Sequence, residues 1–410
     1  MALHLGDANY ERLYQILSSV IPPEKWEYVT LELDRTQRRT TRLMSEIYYG
    51  RLINKDTGES THIIIKIVPS FSLISNFEQI YKNEICFYSR IFPAMNKFQK
   101  SKGIKNSFHN IPNYLGGHSL AEKECIIMEN IGAAGYEILD RNIELIDSKY
   151  LKSIFKVYAR MHALSFVFKY EHPEEFKTLT DELVDILKVF NTQGLDKPME
   201  SAYLAAIEAF NPEFEAETIK KLKEIKNVRD ILGNARDCKG DYKCLTHGNC
   251  LIRNMLFKPP NDGGEDLQVK LIDFHLAYVS TPVHDLSYFF YSGASKEDMD
   301  KIDDYLELYY DTFSSFVKEL GADPQEIYPY RVLQEDWKRY SLLGIFMGIT
   351  ASAGFLLKNS DLSEMFEKSH LPKESRKEIW RQKWMEIYKE NAFKERAREI
   401  CLHAVNYGIL

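Results

Sequence analysis

The hydrophobic pattern divides the chain into a strand-like region near the N terminus and a long helix-like region behind it. Residues 43–53 and 62–68 are rich in β-branched and aromatic side chains, and residues 54–58 between them predict a hairpin turn. Residues 74–92 repeat apolar side chains at helical spacing, which predicts an amphipathic helix. Another apolar strand is predicted at 124–130. The first third of the chain is therefore expected to form a small antiparallel sheet with a helix.

Helical periodicity dominates after residue 147. A long helix is predicted over 147–169, where Asp147 and Ser148 can cap the first turn. Further helices are predicted at 173–236, 296–320, 327–358 and 373–407. The segment 341–357 holds 17 mostly apolar and small residues, at the lower limit for a membrane span. Its scattered Gly, Ser and Thr residues favour a buried helix.

The composition indicates a folded protein with two lobes. The 410 residues exceed the usual size of one hydrophobic core, and 44% hydrophobic with 28% charged residues is typical of folded chains. The net charge of −7 argues against a nucleic-acid partner, which requires a concentrated basic surface. No basic segment followed by a long apolar run opens the chain, so we expect a cytoplasmic protein with no membrane partner. No protein partner can be predicted.

The cysteines predict neither disulfides nor a metal site. Six cysteines in a chain of this length do not resemble a disulfide framework. Cys238, Cys244 and Cys250 surround His247, but their spacing fits no common zinc pattern. We therefore expect reduced, unligated thiols.

The densest motif lies between residues 246 and 291. His247, Asn249 and Asn254 have the spacing of a kinase catalytic loop, with asparagine in place of the aspartate. An apolar strand then leads into Asp273-Phe274, where kinases place a metal-binding carboxylate. Asn254 and Asp273 offer the oxygen ligands that Mg²⁺ prefers. Asn249 occupies the position of the catalytic base and can bind a hydroxyl, but it cannot take its proton at neutral pH.

Two charged residues near the N terminus extend this pattern. Lys66 lies in the second predicted strand, and Glu84 lies on the next helix, 18 residues later. In kinases such a pair directs the lysine toward the phosphates of ATP. Each charge also has a plainer explanation, a solvated side chain or, for Lys66, an edge-strand lysine that discourages aggregation. Their order in the chain favours the functional interpretation, and the backbone from Glu129 to Ile131 would then bind adenine.

Together these motifs resemble the insect ecdysteroid kinase-like family, which is related to choline kinases and aminoglycoside phosphotransferases. The resemblance covers nearly the whole chain and rests on His247-Gly248-x5-Asn254, Leu-Ile-Asp273-Phe274 and Pro282-x2-Asp285-Leu-Ser. It implies an α+β, bilobal protein-kinase-like fold. A small β-rich N-lobe would span 1–129, and a large helical C-lobe would span 130–410 and carry the catalytic and metal motifs at 245–291.

The resemblance also implies cofactors and residue roles. ATP and Mg²⁺ would be the cofactors, and a hydroxyl of a small molecule, such as a steroid, would be the acceptor. The implied cofactor-binding residues are Lys66, Glu84, Ser45, Glu129 and Ile131. The implied metal ligands are Asn254 and Asp273, and the implied catalytic residues are Asn249, His247 and Asp273. Bracing of the catalytic loop is the favoured role for His247 and Asp285.

Two departures from the family pattern bear on activity. The first is Asn249 in the base position. The second is the phosphate-covering loop at 36–45, which contains no glycine, although glycine permits close backbone approach to phosphate. Three basic residues there would either contact phosphates or form a solvated turn: Arg38, Arg39 and Arg42.

The sequence leaves two functions open. The first is a kinase that phosphorylates a hydroxyl of an ecdysteroid-like or other small alcohol, since positioning and metal electrostatics supply most of the catalysis. The alternative is a pseudokinase-like protein that binds a nucleotide or ligand with lost or weak phosphotransfer. Asn249 would also fit a substitution made in an active enzyme. A protein kinase is disfavoured because no A-P-E-like segment follows Asp273, and substrate contacts are expected from helices at 173–236 and 327–407.

Overall fold

A β-sheet dominates the N-terminal region and helices dominate the C-terminal region, which is the α+β, kinase-like arrangement expected from the sequence. The structure is a computed structural model. It describes residues 8–20, 28–34, 40–41, 45–69, 76–139, 145–192, 196–225, 237–260, 264, 266–357 and 371–410.

Six strands form the N-terminal sheet: β1 (Val29–Leu33), β2 (Thr40–Thr41), β3 (Glu46–Asn54), β4 (Ser60–Ile67), β5 (Tyr114–His118) and β6 (Cys125–Glu129). Neighbouring strands are antiparallel in the order β1-β3-β4-β6-β5, and β2 also pairs with β3. The predicted hairpin joins β3 to β4. Because β4 is an interior strand, the explanation of Lys66 as an edge-strand lysine is wrong.

The two faces of β4 meet different helices, because side chains alternate along a strand. Ile63, Ile65 and Ile67 pack with α1 (Ala8–Val20) in a small core of their own. The opposite face carries Ile64, which packs on the larger core, and Lys66, which meets a glutamate of α2 (Phe77–Cys86). Alternation along β4 therefore directs the single charged side chain of the apolar run toward α2.

The helix that begins with α2 is longer than its prediction at 74–92. It continues through a π-helical turn (Phe87–Ile91) into α3 (Phe92–Ser101). A π-helical turn accommodates an extra residue and is frequent at functional sites. This one begins three residues after Glu84.

The helices that follow in the described residues are α4 (Ser148–Glu171), α5 (Pro173–Thr180), α6 (Ile186–Thr192), α7 (Asp196–Glu208), α8 (Ala216–Lys223), α9 (Val283–Gly293), α10 (Lys296–Met299), α11 (Ile302–Glu319), α12 (Pro324–Ile327), α13 (Tyr330–Tyr340), α14 (Leu342–Leu356), α15 (Lys373–Ile387) and α16 (Asn391–Asn406). Short strands lie among them: β7 (Glu137–Ile138), β8 (Cys244–Thr246), β9 (Met255–Lys258), β10 (Gln268–Leu271) and β11 (Tyr278–Ser280). Antiparallel pairing gives β10-β9-β7 and β11-β8. All six cysteines are buried, and none of them forms a disulfide.

Four long predicted helical segments are each divided in the structure, and the segment 296–320 contains α10 and α11. The segment 173–236 contains α5 to α8, and residues 193–195 and 226–236 lie outside the described part. The segments 327–358 and 373–407 each contain two longer helices. Apolar periodicity continues across such breaks because both helices face the same core, so the pattern alone does not mark the turn.

The apolar segment at 341–357 forms α14, which is mostly buried, as expected. The helical stretch Pro324–Tyr340 meets α14 at an angle of 55°. Among the described residues no single helix is long and apolar enough to cross a membrane. The two helical stretches of this bent pair, taken together, have the length and composition of a membrane span.

Two glycines allow α14 to lie directly against α9. A Cβ atom at Gly344 would stand 2.2 Å from the Ser287 hydroxyl oxygen, and one at Gly348 would stand 2.7 Å from the Tyr291 Cβ. A larger residue at either position would push the two helices apart, because the interior has no free space to take it up. Every residue of α9 is buried, so this close contact closes one side of the helix that follows the functional motifs.

Candidate active site

The predicted catalytic loop lies between two short strands and beside the end of a third. Residues 247–254 run from the end of β8 to the start of β9, and Asp273 follows β10 by two residues. The Ile272 N–H donates to the Asn254 carbonyl oxygen at 3.0 Å. This bond holds the end of the loop next to the backbone that carries Asp273.

Lys66 connects the sheet to this loop region. Its Nζ donates to Glu84 Oε2 at 2.6 Å and to Asp273 Oδ1 at 2.5 Å. Burial would lower the pKa of Lys66, but the negative charges of Asp273 and Glu84 outweigh it and raise that pKa. Burial raises the pKa of Glu84, against the opposing effect of the Lys66 charge. The ammonium group of Lys66 is thus held between two carboxylates from distant parts of the chain.

The carboxylate of Asp273 is paired on both oxygens. Besides Lys66, Oδ1 accepts from His275 Nδ1 at 2.9 Å, and Oδ2 accepts from Asn249 Nδ2 at 2.8 Å. Burial would raise the pKa of Asp273, but the charges and hydrogen bonds of His275 and Lys66 hold it well below its usual range. The residue has a φ of 73°, in the left-handed region. Glycine adopts this region freely, asparagine and aspartate adopt it occasionally, and it is costly for other residues.

The two asparagines of the loop have different hydrogen-bond environments. Asn249 points its amide nitrogen at Asp273, which leaves its side-chain oxygen as an acceptor. Asn254 donates through Nδ2 to the Asn249 carbonyl oxygen at 2.9 Å, and its own side-chain oxygen is not used in that bond. The predicted base position and both predicted metal ligands therefore lie within one connected set of hydrogen bonds.

Asp285 at the start of α9 braces the loop from behind. Its Oδ2 accepts from the His247 N–H at 2.6 Å and lies 3.1 Å from His162 Nε2, and its Oδ1 accepts from the Gly248 N–H at 2.8 Å. The Cys250 thiol donates to Oδ1 as well, at 3.2 Å. Burial would raise the pKa of Asp285, but His162 and the other donors lower it to about 2.

His247 is neutral and has a defined tautomer. Its Nδ1 accepts from the Asn249 N–H at 3.1 Å, so Nε2 carries the proton and donates to the Ile272 carbonyl oxygen at 2.9 Å. Burial lowers the pKa of His247, even though the Asp285 charge acts in the opposite direction. With both ring nitrogens bonded to the backbone, His247 joins the loop to the segment before Asp273.

Phe274 packs next to these polar groups and ties them to the helix of Glu84. Its ring stacks on Phe87 with centroids 3.7 Å apart and planes 6° apart, and meets the His247 ring edge-on at 4.3 Å. Tyr88 makes a further edge contact at 5.7 Å. The position of Asp273 is therefore linked to the helix turn that follows Glu84.

The other predicted cofactor-binding residues lie along the sheet. Ser45 is buried just before β3, in the connection from β2. The Glu129 N–H is already bonded to the Asn113 carbonyl oxygen at 2.9 Å. Ile131 opens a 3₁₀ turn (Ile131–Ala134), where the first N–H has no acceptor within the turn. Of the basic residues in the phosphate-covering loop, Arg38, Arg39 and Arg42 lie outside the described residues.

The sequence did not predict a role for two polar residues of this region. His275, two positions after Asp273, bonds the carboxylate directly, and its place after Asp273-Phe274 was an available signal. Asn83, next to Glu84, bonds the backbone of His275 at 3.3 Å. Asn83 carries no comparable signal, because its partners are backbone atoms far away in the chain.

Comparisons with known proteins found a matching family and similar solved structures. The sequence profile of the ecdysteroid kinase-like family matches residues 41–322. Among solved structures, the chain is similar to choline kinase from Cryptosporidium parvum Iowa II (12% identity, TM-score 0.40, 98% of this chain and 95% of that chain). It is also similar to the GDP complex of wild-type aminoglycoside 2'-phosphotransferase-IIIa (12% identity, TM-score 0.40, 94% of this chain and 99% of that chain).

A search of curated protein sequences gave no match. The family profile covers well over half of the chain, from β2 to beyond Asp285. The protein therefore belongs to the ecdysteroid kinase-like family.

Proposed function

We propose that this protein is an ATP- and Mg²⁺-dependent kinase that phosphorylates a hydroxyl group of a small molecule. The observation that carries the proposal is the bridge from Glu84 through Lys66 to Asp273, next to the catalytic-loop asparagines. Family membership supports a kinase-like phosphotransferase. The acceptor class, and an ecdysteroid in particular, belongs to the proposal.

The residues fit Mg²⁺ and the phosphates of a nucleotide. Asp273 and Asn254 offer a carboxylate and an amide oxygen, the hard donors that Mg²⁺ prefers, and they would hold it. Bound Mg²⁺ would neutralise negative charge on the phosphates. Lys66 is bonded to Asp273 by a single oxygen, so its ammonium group can turn to a phosphate while Glu84 keeps it in the site.

Asn249 would orient the acceptor without removing its proton. Its amide nitrogen is bonded to Asp273, so its side-chain oxygen can accept a hydrogen bond from the acceptor hydroxyl. An amide does not take a proton at neutral pH, and the proton must leave by another route. Because positioning and electrostatic stabilisation supply most of the acceleration in phosphoryl transfer, a site without a carboxylate base is compatible with turnover.

Calorimetric titration of ATP with and without Mg²⁺ tests the nucleotide site. We expect Mg²⁺ to tighten ATP binding, and we expect Asp273→Ala to lose that effect, about 100-fold in affinity or roughly 3 kcal/mol. Asp266→Ala is the matched control, since this aspartate is exposed and, among the described residues, pairs with Lys156. Absence of ATP binding to the unaltered protein would reject the proposal. Metal-dependent binding would lead to a screen of phosphoryl acceptors that begins with ecdysteroids and choline.

A second candidate is a nucleotide- or ligand-binding protein with little phosphotransfer, and Asn249 is the observation that favours it. Asn249→Asp distinguishes the two. Restoring a general base contributes about 100-fold or more where the rest of the site is competent. We expect such a gain in the rate of γ-phosphate transfer to a bound alcohol. Unchanged transfer with ATP binding retained would favour the binding protein.

A further inference from the structure

A buried asparagine, Asn83, joins three separate segments of the chain. Its Oδ1 accepts from the Val184 N–H at 3.0 Å, and its Nδ2 donates to the Val184 carbonyl oxygen at 2.7 Å. The same Nδ2 donates to the His275 carbonyl oxygen at 3.3 Å. The residue is 0% exposed, so each of these bonds replaces water that the amide lost on burial.

The position of Asn83 next to Glu84 gives these bonds a consequence for the site. Consecutive residues of an α-helix point about 100° apart. Helix α2 therefore presents Glu84 to Lys66 and Asn83 to the chain around Val184. One helical turn fixes both contacts, and neither can shift without the other.

The bond to His275 extends the same connection to Asp273. The backbone of His275 accepts from Asn83, and the side chain of His275 donates to Asp273 Oδ1. Asp273 is thus held from the lysine side and, through His275, from the helix side. Both carboxylates that hold Lys66 depend on where α2 meets Val184.

Two weaker contacts lie on the same face of this helix. The Cys86 thiol lies 3.9 Å from the Leu179 carbonyl oxygen, and Arg90 pairs with Glu182. The positions 83, 86 and 90 follow helical spacing, so they form one row against residues 179–184. Both members of the Arg90 pair are exposed, and such pairs contribute little. Asn83 is the fully buried member of the row.

We propose that Asn83 is a positioning residue, which clamps the helix of Glu84 and the turn of Asp273 to the segment that leads into α6. The role in nucleotide binding rests on the function proposed above, whereas the clamp itself does not. With this clamp in place, Glu84 stays at Lys66 in the unliganded protein. The helix then needs no ligand or modification to bring it into position.

Hydrogen exchange of the unliganded full-length protein tests the clamp without reference to nucleotide. In Asn83→Ala we expect amides of 184–188 and 274–277 to exchange together, about tenfold faster or more, because both lose the same partner. Ser89→Ala is the control, since its exposed hydroxyl donates to the Ile85 carbonyl oxygen of its own helix. Unchanged exchange in either segment, or an equal increase throughout the protein, would overturn the proposal.

A second variant guards against loss of folding in Asn83→Ala. Val184→Pro removes the N–H that donates to Asn83 Oδ1 and leaves the asparagine in place. It should loosen 274–277 across the clamp, although residue 184 lies outside that segment. No effect at 274–277 would contradict the coupling.

Nucleotide binding supplies the readout that a merely structural role would not change. The ratio of ATP dissociation constants without and with Mg²⁺ should fall about tenfold in Asn83→Ala, because the metal ligand and the lysine lose their relative placement. Binding of metal-free ATP should change less. An unchanged ratio would overturn the positioning role. If the unaltered protein shows no Mg²⁺ effect, the proposed function fails and the exchange result alone decides on the clamp.

Discussion

Two aspartates that contact the predicted catalytic loop, Asp285 and Asp273, differ in burial and in the kind of donor that binds them. Asp285 has a fully buried side chain, 0% exposed, and two of its donors are backbone N–H groups. Asp273 has a side chain that is 20% exposed, and its donors are the side chains of Lys66, His275 and Asn249. Backbone donors cannot turn away from a carboxylate, whereas side-chain donors can exchange it for another partner.

The difference separates a carboxylate that fixes structure from one that is available for chemistry. Asp285 has no accessible oxygen to offer a cation or phosphate, and its removal would leave backbone groups unpaired. Asp273 faces solvent in part and has a left-handed backbone, a conformation that in residues other than glycine is often found at functional sites. Four experiments test this contrast.

The largest effect is expected from Asp285→Ala. It leaves the N–H groups of His247 and Gly248 buried without an acceptor, and it uncouples His162. Removing one partner from a buried charged network costs about 3–5 kcal/mol. Urea denaturation should show this loss of unfolding free energy. A loss below about 1 kcal/mol would mean that the brace is not structural.

Lowering the pH should remove the contribution of Asp285 to the free energy of unfolding over a range of pH values. Its pKa is lowered to about 2 in the folded protein, below the value of an unfolded aspartate. A depressed folded-state pKa stabilises the protein above the unfolded pKa, and this gain is lost as the pH falls from about 4 toward 2. The expected contribution is roughly 2 kcal/mol. The unfolding free energies of the unaltered protein and of Asp285→Asn should therefore converge across this pH range, and a constant difference would contradict the assignment.

Substitutions of Asp273 should separate stability from function. Asp273→Gly and Asp273→Ala remove the same carboxylate, but only glycine adopts the left-handed backbone freely. We expect the glycine variant to be more stable than the alanine variant by about 1 kcal/mol. Both should lose Mg²⁺-dependent ATP binding. Equal stabilities would show that the left-handed backbone at this position carries no cost for alanine.

The smallest effect is expected at His275. His275→Ala removes one hydrogen bond to Asp273 while Lys66 and Asn249 remain, so Mg²⁺-dependent ATP affinity should fall about threefold. His275→Gln retains an N–H donor and should preserve most of the affinity. Calorimetry of both variants checks this. If His275→Gln lost as much Mg²⁺-dependent ATP affinity as Asp273→Ala, His275 would not be merely a residue that supports Asp273.

The sequence was sufficient for the parts of the site that local motifs encode. His247, Asn254 and Asp273 were found by residue type and spacing, and the structure brings them together around one loop. The pair of Lys66 and Glu84 was predicted from a strand followed by a helix, and the two groups are 2.6 Å apart. Their roles in catalysis and cofactor binding stay predictions that the nucleotide titrations address.

The contacts that were missed are long-range and involve backbone atoms. Asn83 meets partners 101 and 192 residues away, and backbone acceptors have no signature in the sequence. Fold class was predictable for a different reason, because period-two and helical patterns reflect which faces are buried. The breaks within the predicted helices at 327–358 and 373–407 were not predictable, because the apolar pattern continues across the turns.

The close packing of α14 on α9 bears on how much of the chain is needed for the site to exist. The family match ends at residue 322, but Gly344 and Gly348 lie twenty or more residues beyond it and meet α9 along two turns. A chain shortened to the matched region would leave one side of this wholly buried helix in water. Asp285 stands on that helix, and the loop of Asn249 rests on Asp285. The boundary of sequence similarity is therefore not a boundary of the folding unit, and shortening the protein to the recognisable family segment would dismantle the loop that makes it recognisable.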